Sequence, residues 1–507
     1  MKVRAVGAVA AMLLGATMFA GCMATPTTGS GDAAAGGGDV RLALAAEPSN
    51  TDPIMTRSIA AWNMYYALYD GLTRIAADGA IEPGLAESWE HNDDLTVWDF
   101  TIREGVEFHN GDPLTAGDVV YTYSTILASD TSTNRPAIAM VEKVEELDGG
   151  IVRFTLKNPF SAWINQVATI GIVPEDVYAA EQEQFVEHPV GTGPFSFVSW
   201  NHGVDYTVER NDEYWGTPAE AETVTFAFVG AEDARVTGVE SATLDAAVIP
   251  PNQVPVLEGS TRASVIESPS NQVVFLGINT TAGVLADERI RQAISLAVDR
   301  DAIISTLLGG LGTLNGQLVA EGVTGYVPDF ATPDYDVKAA EALLAEAGYA
   351  GEEIPLEYTT VGGLPMSAEV AQAISGYLGA VGLNVKLVGA EQASQSLSIA
   401  NHEIAGLYLS YWSPSSMDGD VVVNQLLAGG PEDYARDPEM AALYLEQQAA
   451  PEAERAQVFE EIWTANAERV YHVPLYTSSF TYAVNPSLEW TPAVDGIFRA
   501  SEVALGR

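Results

Sequence analysis

The sequence predicts an α/β fold built as two lobes. At 507 residues the chain is too long for one core and suits two or three domains. Its first half carries short stretches that alternate apolar and polar residues, the signature of half-buried strands. Its second half changes to helix-then-strand units, the pattern of a mixed sheet covered by helices.

Taken in order, "VRLALAA" from Val40 reads as a strand that stops at the turn-rich "EPSNTDP". "TVWDFTIREG" sets Trp98, Phe100 and Ile102 on one face, and "VRFTLKNP" does the same with Val152, Phe154 and Leu156. "HNGDPLTAGDVVYTYSTIL" turns at Asn110-Gly111 and then starts a helix, with Thr115 as N-cap and Asp118 three residues on. That helix aligns Val119, Val120, Tyr123, Ile126 and Leu127. In the second half "DERIRQAISLAVDRDAII" aligns Ile290, Ala293, Ile294 and Ala297, and "YDVKAAEALLAEAGY" is closed by Gly348. "GLNVKLV" is a strand after a helix ending near Gly382. "PEAERAQVFEEIWTANAERV", with Pro451 at N1, is the last clear helix, and "YHVPLYTS" follows it as a strand. No internal repeat is visible.

Charge narrows the partners. The chain carries 23 basic against 69 acidic residues, net −46, which argues against nucleic acid and anionic lipid surfaces. Self-repulsion on this scale favours solubility. No internal run reaches the ~18 apolar residues of a membrane span.

The N-terminus reads as an export signal over residues 1–21: a basic "MKVR", an apolar stretch from Ala5 to Phe19, and small residues before Cys22. Cys22 is the only cysteine, so an internal disulfide and a cysteine-rich metal site are both excluded. "FAGC" looks like a bacterial lipobox, with Phe19 in place of the usual Leu. That resemblance implies a lipidated Cys22 anchored in the membrane, since each buried CH₂ of an acyl chain contributes about 0.8 kcal/mol. Residues 22–39, rich in Gly, Ala, Ser and Thr, read as a flexible tether.

Catalytic spacings are missing. There is no Gly-x-Ser-x-Gly elbow and no phosphate-binding Gly-x-x-x-x-Gly-Lys loop. His402-Glu403 lacks the second histidine of a zinc-protease helix, and no two of the six histidines have metal-ligand spacing. "GGLGTLNG" has Asn315 where a dinucleotide fingerprint needs glycine, and reads as a loop. The chain is therefore expected not to be an enzyme and to use no cofactor and no metal. A secreted carboxylate-dependent hydrolase is the alternative, and a ligand sensor or surface scaffold is a further one.

Five stretches, in this order, resemble the extracytoplasmic solute-binding proteins of ABC importers, family 5, the peptide/nickel-binding class. They are "YDGLTRIAADGAIEPGLAESWE", "VWDFTIREGVEFHNGDPLTAGDVVYTY", "PVGTGPFSF" with "ERNDEYWG", "FLGINTTAGVLADERIRQAISLAVDRDAI", and "YDVKAAEALLAEAGY". The resemblance runs from about Val40 to the C-terminus. It implies a two-lobed periplasmic-binding-protein-like fold with a central cleft: residues 40–268 plus 485–507 as the first lobe, a subdomain inserted at about 73–173, and residues 269–484 as the second. The crossings would lie near 267–271 and 484–487. It further implies a monomer that captures a peptide-type solute or an oligosaccharide by hinge closure. The captured solute passes to permease subunits driven by a separate ATPase. Nucleic acid is not a partner. In these terms Arg289, Arg291 and Asp299 belong to the scaffold, as capping and ion-pairing residues.

The stretch "YWSPSSMDGD", residues 411–420, puts two aromatic rings, three serines and two carboxylates into ten residues. A calcium loop is excluded because Asp418-Gly419-Asp420 runs on into three valines. The resemblance makes Tyr411 and Trp412 one wall of the cleft, Trp412 being the platform. It also places an aspartate three residues after this tryptophan in peptide binders, where it meets the peptide's ammonium. Here that position is Ser415, which offers one hydrogen bond and no charge. A neutral or capped peptide, or an oligosaccharide stacked on Trp412, therefore fits better than a zwitterionic peptide. Ser413, Asp418, Asn271 and Gln272, with Ser49 and Asn50 from the first lobe, complete the expected ligand-binding set.

Overall fold

In the first half, Val97–Ile102 and Ile151–Leu156 pair antiparallel, with Trp98 opposite Phe154, and each strand buries every second residue. With Ala86–His91 and Val141–Leu147 they form a separate four-stranded sheet in the computed structural model, which describes residues 38–506. The export signal, Cys22 and nearly all of the tether lie outside those residues. The helix Ala116–Ala128 packs on this sheet and begins with the expected capping box, Thr115 and Asp118 satisfying each other's backbone N–H groups. Its buried face holds Val119, Tyr123 and Ile126, and Tyr123 meets Phe154 edge-on at 4.7 Å.

The main sheet of the described residues is mixed and has eleven strands. At one end lie Asn384–Glu391, Glu353–Val361 and Leu407–Trp412. At the other lie Ala246–Ile249, Asp39–Leu44, Thr223–Phe228, Asp205–Arg210 and Phe195–Asn201. Two long strands, Ser264–Ile278 and His472–Val484, run through the middle and belong to both ends.

Their register shifts twice, once as a bulge between Val274 and Phe275 and once as a wider gap between Pro269 and Val273. Pro269 pairs with Ser479 and Val273 with Thr477, and the residues between are stitched by side chains instead. Ser270 Oγ donates to the Ser478 carbonyl at 2.6 Å, and Ser478 Oγ donates to Gln272 Oε1 at 2.9 Å. The cores divide at the same place. Val473, Leu475 and Tyr476 join a cluster with Val274, Leu356 and Ile374, whereas Tyr482 and Val484 join one with Val40, Leu42 and Phe226. Along the second long strand the core therefore changes between Tyr476 and Tyr482. A strand read from sequence as "YHVPLYTS" in fact continues to Val484.

Two of the family-like motifs meet at one buried carboxylate. Asp70 accepts hydrogen bonds from Thr192 Oγ1 (2.9 Å), Trp215 Nε1 (2.9 Å) and Tyr214 Oη (3.1 Å), and burial pushes its carboxyl up to about 6. Gly191, beside Thr192, lies against the backbone of the helix Ile59–Leu68: a Cβ there would stand 2.0 Å from the Leu68 carbonyl oxygen. The motif needs glycine because only a bare backbone fits.

The helices of the second half follow the sequence. Glu288–Ala297 buries Ile290, Ala293, Ile294 and Ala297, and Val337–Ala347 ends at Gly348 in the left-handed conformation (φ 69°). Arg289 pairs with Asp287, Arg291 donates to four backbone carbonyls, and Asp299 caps the next turn. Pro451 stands one position earlier than expected, as the N-cap of Glu452–Arg469.

Candidate functional site

The strand Leu407–Trp412 is inserted beside Ser264–Ile278, with Tyr411 opposite Val274 and Trp412 opposite Val273. Its C-terminal end therefore emerges directly at the break between the long strands. Gly277 makes the pairing possible: a Cβ there would sit 1.9 Å from the Tyr408 ring, so the buried ring lies flat across a bare backbone. Leu407 and Leu409 fix the strand in the core, which leaves Tyr411, Trp412 and Ser413 half-buried at the edge.

Two adjoining cavities open at this edge. The larger, about 450 Å³, lies between the two core systems. Ala43–Ala46, Ile59, Ala60 and Asn63 line it from the first half, and Leu308, Leu364, Tyr411 and Tyr476 from the second. Gln272, Ser478 and Ser479 line it at the strand break. The smaller, about 270 Å³, is lined by Tyr411, Trp412, Ser413, Gln392, Gln395 and Glu432 among others. Both volumes fall within or near the range of small-ligand pockets, roughly 300–1,000 Å³.

A scan of protein families matches residues 80–434 to the bacterial extracellular solute-binding proteins, family 5 (middle region). The chain belongs to this family. Among the curated relatives of this family 5 protein, Protein XP55 of Streptomyces lividans is 32% identical over 358 residues, which is 69% of this chain and 64% of XP55. The oligopeptide-binding protein AppA of Bacillus subtilis is 27% identical over 372 residues, 69% of this chain and 68% of AppA. The chain thus spans slightly under two thirds of XP55. The fold is that of the ABC transporter substrate-binding protein CtaP from Listeria monocytogenes, with a TM-score of 0.84 at 22% identity, covering 93% of this chain and all of CtaP. Such structures are two-lobed with a mixed α/β sheet.

Against that frame the expected site residues of the family 5 protein divide. Tyr411 and Ser413 line both cavities, Trp412 the smaller and Gln272 the larger. Asn271 lines neither. It is fully buried, its amide donating to the Pro414 carbonyl (3.2 Å) and its carbonyl accepting from Ser413 Oγ. Ser49 is exposed, and Asn50 closes a local turn by accepting from the Asp52 backbone at 2.7 Å, so neither reaches the cavities. The first half contributes Asn63 and the Ala43–Ala46 strand end instead.

Ser415 also faces away from both cavities. Its Oγ accepts from Arg57 Nη2 at 2.9 Å, while Arg57 Nη1 donates to Thr169 Oγ1 at 3.1 Å. Burial pulls the Arg57 guanidinium down to about 10, and it has no carboxylate partner among the described residues. Asp418 lines neither cavity. It forms a bidentate ion pair with Arg455, both oxygens at 2.7 Å, with both side chains almost wholly buried. Arg455 also donates to Gln447, and Gln447 donates to Asp420, whose carboxyl burial and the neighbouring Asp418 push up to about 6.

Sequence reasoning missed Glu432, Gln392 and Asn63. Glu432 sits in "GGPEDYARDP", which reads as an ordinary polar turn. Its Oε1 accepts from the Trp412 indole N–H at 2.8 Å, and burial pushes its carboxyl up to about 7. No Lys, Arg or His lines either cavity.

Proposed function

We propose that the chain captures a peptide-like solute outside the cytoplasm and delivers it to the permease of an ABC importer. Residues 40–268 with about 480–507 act as one lobe and about 269–479 as the other, closing by a hinge at the break between the two long strands. Lipidation of Cys22 keeps the binder near its permease and raises the effective concentration there. The single observation that carries this reading is the 450 Å³ cavity, lined from both halves beside that break. A ligand touching both walls holds them together, which is the physical basis of closure on capture. Membership of family 5 and the likeness to AppA, an oligopeptide-binding protein, and to CtaP, an ABC transporter substrate-binding protein, support it.

The test is a melting-point screen over short peptides, capped peptides, oligosaccharides and metal chelates. A solute at 100 times its Kd stabilises the protein by about 2.7 kcal/mol. Deletion of the gene should then abolish uptake of the solute that shifts the melting point. If no class shifts it, or uptake survives deletion, the importer reading is wrong. Turnover of any solute in the panel would favour a hydrolase instead.

A further inference from the structure

We infer that Glu432 anchors the ligand: it marks a subsite for the ammonium of a largely apolar solute that carries no free carboxylate, seated beside Trp412. This rests on the solute-binding reading and sharpens it to a ligand class.

The argument starts from an unmet atom. Oε1 of Glu432 is engaged by Trp412, but Oε2 is buried and has no hydrogen-bond partner among the described residues. A buried, unpaired carboxylate is costly. An ammonium entering the 270 Å³ cavity meets the carboxylate with a charge-assisted hydrogen bond, among the strongest kinds a protein makes.

Glu357 also keeps a buried carboxylate oxygen without a partner but lines neither cavity, and the other acids nearby are committed. Asp418 is locked to Arg455, and Asp495, which lines the larger cavity, is paired with Arg499 at 2.6 Å. The rest of the ligand meets mostly apolar and neutral groups. The two cavities share Ile59, Gly363, Leu364, Gln392, Tyr411 and Ser413, so one solute can extend from the smaller into the larger. A free carboxylate would find no cation in either lining. Arg57 is turned away to Thr169 and Ser415, and the Arg436 guanidinium, in the turn after Glu432, is engaged by the Gly429 carbonyl and His402.

The experiment is isothermal titration with four peptides: Leu-Leu-Leu-amide, its N-acetyl form, free Leu-Leu-Leu, and N-acetyl-Leu-Leu-Leu. Wild-type protein should bind the first at least about tenfold tighter than the second, as expected for a hydrogen bond to a charged group. It should bind the free acid more weakly than the amide. Glu432→Gln, which retains an acceptor for Trp412, should bring the first two peptides within about twofold of each other. Equal affinity for the first two in wild type, or a tenfold preference that survives Glu432→Gln, overturns the inference. So does tighter binding of the free acid, or binding of none of the four. Should Glu432→Gln fail to fold, the wild-type comparison decides alone. Failure here with a hit elsewhere in the melting-point screen leaves the solute-binding reading standing. Failure of both removes both.

Discussion

Asp418 and Glu432 follow the same wall strand and are both buried, yet they are held in opposite ways. Asp418 has a guanidinium on both oxygens and lies inside a network with Gln447, Gln448 and Asp420. Glu432 has one neutral donor and an empty second oxygen. The difference teaches how to tell scaffold from site among buried charges. A carboxylate whose valence is filled by its own chain adds shape and stability. One left short at a cavity wall is available to something that is not part of the chain.

The sharpest way to break this contrast is at Arg455. Arg455→Ala leaves Asp418 buried without its counter-charge and should cost about 3–5 kcal/mol in urea unfolding. Replacing both partners together, Asp418→Leu with Arg455→Met, should recover most of that loss. A cost for Arg455→Ala below about 1 kcal/mol, the range of exposed pairs, would mean that Asp418 is not structural and that it must be returned to the list of ligand contacts.

Glu432 should behave in the reverse sense. Its folded carboxyl holds a proton up to about 7, whereas an exposed glutamate releases its proton at about 4.5. Between those values the folded state binds more protons than the unfolded one, so stability falls as pH rises through that window. Glu432→Gln should flatten this part of the profile, on the order of 1–3 kcal/mol between pH 4.5 and 7. Asp70 and Asp420, both raised to about 6, slope the same way, so the measurement is the difference between variant and wild type. Burial sets the direction for Glu432, and its own charge adds to the burial that raises the neighbouring Tyr408 and Tyr434 phenols. Identical pH profiles for the two proteins would show that Glu432 is ionised and solvated. Trp412→Ala removes both the platform and the sole donor to Glu432. It should weaken solute binding by more than about tenfold, some 1.4 kcal/mol, with the fold intact by circular dichroism.

What was legible in the sequence is what local physics decides. The Thr115–Asp118 box, the alternation around Phe100 and Phe154, and the Gly348 stop each depend on residues a few positions apart, and each formed as read. The ordered motifs also identified the family and with it the two-lobed fold. Tyr411 and Trp412 were legible through the family, as the end of a strand beside the break. The fates of the polar residues were not legible. Nothing near Asp418 announces that Arg455, on a later helix, folds over it. Nothing near Asp70 announces that Thr192, Tyr214 and Trp215 converge on it. Asn271 looked like a cleft residue because it sits at the crossing, but position along a strand does not say which face is already occupied.

Ser415 is the smallest and most discriminating case. By resemblance it stands where peptide binders carry an aspartate for the ligand's ammonium, which suggests that Ser415→Asp would restore that function. The structure predicts otherwise. Arg57 already points at this position from the first half, 2.9 Å from Oγ, and has no other acid. An aspartate at 415 would pair with Arg57 across the two halves and leave no charge for a ligand. Ser415→Asp should therefore raise stability by about 0.5–1 kcal/mol, as a partly buried pair does at best, and leave the affinity for Leu-Leu-Leu-amide within about twofold of wild type, below the scale of a charge-assisted contact. Ser415→Ala should lower stability by a similar amount through the lost hydrogen bond to a charged group. If Ser415→Asp instead strengthened amine binding tenfold, the ammonium would sit at 415 and not at 432. The contrast between the filled and the unfilled carboxylate would then have pointed to the wrong wall.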